Sequence, residues 1–241
     1  MPIYQNARNQ NVNCMAGMPI TFDANGKVVS ATVARNSVYQ NARNQNVTAA
    51  AGTFLQFDTR GYVASATVPR NSVYQNVRNQ NVTAAARTMI SFDTNGYVTS
   101  VIVARNSVYQ NARNQNVTCS ASTTIQFDDR GFVTSAVLPR NSVYQNSRDQ
   151  NVTGSPGTTI IFDNRGYVSS AEVSRNSVFQ NGRNQNVTAT ANTTIVFYST
   201  GYVNSAIVPR KAVYQNANNQ NVTVLAGRTA VFSIIGFLIS N

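Results

Sequence analysis

The sequence predicts an all-β protein built from seven tandem repeats of 35 residues. Three observations carry the prediction. Asp23, Asp58, Asp93, Asp128 and Asp163 recur every 35 residues, each after a Phe and three places before a Gly. A fixed interval of that length is the signature of a repeat architecture. Tyr4, Tyr39, Tyr74, Tyr109, Tyr144 and Tyr214 keep the same interval, with Phe179 in the remaining slot and no insertion to break the count. Between regularly placed turn signals, apolar and polar residues alternate, as strands with one buried face require. The repeats start near residues 4, 39, 74, 109, 144, 179 and 214, and residues 1–241 read as a single repeat domain.

Each repeat resolves into about four short antiparallel strands. Ile125 and Phe127 alternate with polar neighbours, Asp128-Asp129-Arg130-Gly131 turns the chain, and Phe132 to Val137 returns. Asp suits the first position of a type I turn, and Gly tolerates the positive φ that follows. The link Pro139-Arg140-Asn141 leads to a strand over 142–145, an Asn/Arg-rich loop over 146–150 and a strand from Asn151. That strand ends in the small-residue turn Gly154-Ser155-Pro156-Gly157. No apolar spacing of 3.6 residues outlasts one turn, so no helix is predicted.

The pattern fits a closed seven-unit β-propeller-like ring or an open β-solenoid or meander array. Charge separates these. Stacked in register at roughly 4.8 Å, Arg8, Arg43, Arg78, Arg113, Arg148 and Arg183 would form one column. Arg35, Arg70, Arg105, Arg140, Arg175 and Arg210 would form a second. Like charges that close cost roughly 1 kcal/mol per neighbour even in water, and no acid column offsets them. Separate blades hold the arginines beyond a Debye length of about 8 Å. The ring is therefore the expected arrangement, its last unit completed by the first strand, and the open array is the alternative.

A net charge of +11, from 19 basic and 8 acidic residues, favours an acidic partner. Cys14 and Cys119 occupy one slot in two repeats, which Ala, Gly or Val fills elsewhere, and read as small apolar packing. With no His and no paired thiolates, no metal or other cofactor is predicted. Catalysis has no foothold either: there is no nucleophile motif and no phosphate-cradling loop, so the expectation is not an enzyme. No run approaches the roughly 18 apolar residues of a membrane span. The amino terminus has no apolar stretch of signal-peptide type, so synthesis is expected in the cytoplasm, with any release by a leaderless route.

The candidate site is the block Tyr-Gln-Asn-x-Arg-Asn-Gln-Asn-Val. In the second repeat it offers Tyr39, Gln40, Asn41, Arg43, Asn44, Gln45 and Asn46. The third offers Tyr74, Arg78, Asn79 and Gln80, and the fourth Tyr109, Arg113, Asn114 and Gln115. Tyr144 and Arg148 follow in the fifth and Arg183 in the sixth. Amides donate and accept, guanidinium adds a planar fork, and Tyr can stack on a sugar face. The set suits hydroxyls, ring oxygens, sulfate or carboxylate, and repetition multiplies weak sites. These residues point to a lectin-like, multivalent carbohydrate-binding protein with a glycan or other polyhydroxyl or anionic ligand. The same amides would equally serve as glue between repeats.

Two other functions fit. One is a self-assembling β-repeat protein: the last repeat replaces its Asp turn by Ser233-Ile234-Ile235-Gly236, an apolar end that another subunit would cover. The other is a binder of polyanions through repeated Arg. Nucleic acid is not the expected polyanion, because no recognised module surrounds the arginines.

Overall fold

The computed structural model describes residues 1–240, in which 28 strands, numbered in chain order, give each repeat four. Among these residues no helix is long and apolar enough to cross a membrane. The strands group into two compact lobes, Met1–Ser107 with Ala121–Phe132, and Val108–Ser120 with the residues from Val133 onward.

In the first lobe one antiparallel sheet runs β3 (Ile20–Phe22), β4 (Val28–Thr32), β7 (Phe54–Phe57), β8 (Val63–Val68), β11 (Thr88–Phe92), β12 (Val98–Ile102), β15 (Thr124–Phe127). Three hairpins accompany it: β1 (Ile3–Gln5) with β2 (Asn11–Asn13), β5 (Ser37–Gln40) with β6 (Asn46–Ala49), and β9 (Ser72–Gln75) with β10 (Asn81–Ala84). The second lobe repeats the plan. Its sheet runs β16 (Val133–Val137), β19 (Thr159–Phe162), β20 (Val168–Val173), β23 (Thr193–Phe197), β24 (Val203–Ile207), β27 (Thr229–Phe232), β28 (Leu238–Ser240). Its hairpins are β13 (Ser107–Gln110) with β14 (Asn116–Cys119) and β17 (Ser142–Gln145) with β18 (Asn151–Gly154). Two more are β21 (Ser177–Gln180) with β22 (Asn186–Ala189) and β25 (Ala212–Gln215) with β26 (Asn221–Val224).

Turn chemistry sets the sheet hairpins. Asp58 Oδ1 accepts the N–H groups of Arg60 at 2.9 Å and Tyr62 at 2.8 Å, and Gly61 takes φ 83°. A bulge between Gln56 and Phe57 absorbs the extra residue. Alternation then sets the layers. Tyr39 and Val47 of one hairpin face inward onto Leu55, Phe57, Val63 and Ala66 of the sheet, all buried. Tyr39 meets Phe57 edge-on at 5.2 Å, a geometry worth about 0.5–1.5 kcal/mol beyond area burial. Val38, one residue away, faces solvent.

The expected propeller-like blades are not found in either lobe. Each repeat is instead joined to the next edge to edge, as in Ser30↔Gln56 and Ala31↔Leu55, so the open meander array describes each lobe. Repulsion along the arginine columns is weaker than expected because their spacing is wider. Two sheet strands per repeat, at roughly 4.8 Å each, put equivalent arginines about 10 Å apart, where repulsion in water falls to about 0.4 kcal/mol before screening.

Candidate ligand-binding site

The repeated block forms the turn of each hairpin, and its central Asn is fully buried. Asn41 Oδ1 accepts the N–H groups of Arg43 at 3.1 Å and Gln45 at 3.0 Å. Its Nδ2 donates to Gln45 Oε1 and to the carbonyl of Gly96 in the next repeat, each at 3.0 Å. Asn6, Asn76, Asn111, Asn146 and Asn181 make the same four bonds, and all six have no exposed surface. A buried amide with every lone pair and proton engaged has nothing left for a ligand.

The arginine beside it also reaches into the next repeat. Arg43 Cζ lies 4.1 Å above the Tyr97 ring while Nη2 donates to Gln75 Oε1 at 3.1 Å. Arg113 stacks on Tyr167 and reaches Gln145, and Arg148 stacks on Tyr202 and reaches Gln180. Arg78 lies over Phe132 and Arg183 over Phe237. Arg8 binds Gln40 Oε1 at 3.1 Å. A glycine makes the seat possible: a Cβ on Gly96 would come within 2.6 Å of Arg43 N and 2.8 Å of Ala42 N.

The predicted site residues are therefore split. Tyr39, Tyr74, Tyr109 and Tyr144 are at most 4% exposed, so none offers a ring face to a sugar. Burial pushes the Tyr39, Tyr74 and Tyr144 phenols above their ordinary range. Gln45, Gln80 and Gln115 receive the buried amides. Asn44, Asn79 and Asn114 are exposed but hold the turn at φ 57–59°. Of the second repeat's block, Asn46 opens onto a surface groove that Tyr74 of the third also lines.

That groove lies on the outer face of the hairpin layer. It has a volume of about 610 Å³ and is lined by Val38, Asn46, Thr48, Arg70, Asn71, Ser72, Val73 and Tyr74. The second lobe carries its counterpart 70 residues on, about 510 Å³, with Asn116, Thr118, Arg140 and Asn141. A third, about 250 Å³, follows another 70 residues on, with Asn186, Thr188, Arg210 and Lys211. Each sits at a Pro-Arg link, where Pro69, Pro139 and Pro209 precede the arginine. Among the described residues no hydrogen bond or ion pair engages the guanidinium of Arg70, Arg140 or Arg210, and all three residues are exposed. Arg35, the first of the row, reaches Asn13 Oδ1 at 3.3 Å. The two arginine rows thus differ: one is spent on the neighbouring repeat, and the other leaves these three guanidinium groups to solvent.

This second row was legible as a charge column but carried no polar cluster to mark it. Its signal was position, an Arg at the same link of successive repeats. No protein-family model matches the chain, and no curated protein matches its sequence.

Proposed function

We propose that this protein is a non-enzymatic, multivalent binder of an acidic glycan, held along the outer face of its hairpin layer. The carrying observation is the set of exposed arginines without a side-chain partner, beside exposed amides and a Thr in each recurring groove. Uncommitted guanidinium favours sulfate or carboxylate, and neighbouring amides favour hydroxyls. Arg140 and Arg210, two repeats and four sheet strands apart in the second lobe, stand about 20 Å apart, a span that an extended chain of charged sugar units bridges. Shallow single sites give weak contacts that a polymer sums. The reading keeps the lectin-like class and moves the site from the Tyr/Asn block to the Arg link.

The test is calorimetry with a sulfated oligosaccharide and its desulfated form. The sulfated chain should bind, with affinity falling steeply as salt rises. The combined variant Arg70→Gln, Arg140→Gln and Arg210→Gln should weaken it at least about tenfold, with an unchanged melting temperature. Equal binding of the desulfated chain refutes the proposal. Equally tight binding of single-stranded DNA reassigns the row to polyanions in general.

A further inference from the structure

We propose that the two ends of the repeat array are a matched interface, through which β28 and the β25–β26 hairpin of one copy seat on β3 and the adjoining turn of a second copy. This is independent of the glycan reading.

Both ends leave open what internal repeats bury. Every internal repeat buries its block ring, a Tyr or Phe179, and its inward Phe, yet in the first repeat Tyr4 is 40% and Phe22 43% exposed. At the other end Asn216 and Val222 lose the full burial of their internal equivalents, Ile235 and Ile239 stand exposed where internal repeats mostly carry polar residues, and a cavity of about 410 Å³ opens among Asn216, Asn218, Ile235, Phe237 and Ile239. Asn216 makes the turn bonds of its buried equivalents and lacks only the glycine carbonyl of a following repeat.

The glycine it lacks exists at the opposite end. Gly26 has φ +72, and a Cβ added there would meet nothing within 4 Å, whereas Gly61, Gly96 and Gly166 each abut the preceding hairpin at 2.6–2.7 Å. Continuing the 35-residue count across copies puts Asn216 against Gly26, as Asn181 lies against Gly236. It also puts Ile235 against Ala24, in place of the Arg60 donation to the Thr94 carbonyl. Ser240 falls opposite Thr21, as Ser205 falls opposite Val231.

The stacking pairs point the same way. Each block Arg lies over a ring 54 residues on, from Arg8 over Tyr62 to Arg183 over Phe237. The next pair by the same count is position 218 with position 27 of a following copy, and these are Asn218 and Lys27. Both members depart from the pattern together. An arginine at 218 would meet the Lys27 ammonium; an amide accepts from it. Such a head-to-tail contact is heterologous, so each joined copy leaves a free face for the next and association does not stop at two.

Light scattering and sedimentation velocity over a concentration series test this. The native chain should form oligomers that grow with concentration without stopping at two. Gly26→Asn keeps a residue that tolerates positive φ but fills the seat, and should weaken association by about a hundredfold or more. Ile235→Asp should block the other end. Each variant retains one good end, so their mixture should stop at a dimer that neither forms alone. Both should still bind the sulfated chain as monomers. A native chain that stays monomeric, one that stops at a symmetric dimer, or a Gly26→Asn chain that associates normally would overturn the proposal. So would a monomer whose melting temperature collapses on Gly26→Asn, since the ends would then meet within one chain.

Discussion

Gly166→Ala should destabilise the protein far more than Gly157→Ala, although both glycines lie in turns with positive φ, 84° and 74°. The left-handed conformation costs an alanine roughly 1–2 kcal/mol at either site. At Gly157 that is the whole effect, because a Cβ there meets nothing within 4 Å. Repeats elsewhere in the chain already place Arg87, Ser122 and Asn192 in the equivalent slot. At Gly166 the new Cβ would stand 2.6 Å from Arg113 N and 2.8 Å from Ala112 N, both backbone atoms that cannot swing aside. The hairpin must lift. Overpacking of that kind costs about 1–3 kcal/mol. Lifting also loosens the Asn111–Gly166 bond, about 1 kcal/mol, and the Arg113–Tyr167 stack, about 0.5–1 kcal/mol. The sum is roughly 3.5–7 kcal/mol against roughly 1–2 kcal/mol. Urea unfolding of the two variants beside the parent measures the gap. Equal losses would refute the view that this glycine exists to seat the neighbouring repeat.

Three further outcomes are expected. Asn111→Asp is nearly isosteric but turns two donations into oxygen–oxygen contacts at a buried site; it should cost about 3 kcal/mol or more, against about 1 kcal/mol for Asn216→Asp in half-exposed surroundings, read by denaturant midpoint. Burial raises the phenol pKa of Tyr39, Tyr74, Tyr144 and Tyr214, so the fold favours the neutral form. That stability is complete below the unfolded value of about 10 and is lost as pH rises through and beyond it; Tyr144→Phe, which copies Phe179, should flatten the alkaline loss in a pH series. Cys14 and Cys119 are fully buried and burial raises the Cys14 thiol, so native protein should react with a thiol reagent only as fast as it opens, and Cys14→Ala should cost less than about 1.5 kcal/mol.

The amino-acid order by itself determined the repeat, the strands and their turns. The strand at Ser142–Gln145, the turn at Asp128–Gly131 and the strand opening at Asn151 fall where alternation and turn chemistry put them, because these signals act over a few residues. The same local signals could not say how one repeat meets the next. Whether Val28–Thr32 pairs with Phe54–Phe57 or faces it as a separate blade depends on backbone edges, which leave no mark in side-chain alternation. Nor could they divide the arginines. Arg43 and Arg70 are alike in sequence as repeated, basic and Asn-flanked. Only the packing of one hairpin on the following turn places an aromatic ring beneath the first and leaves the second in open solvent.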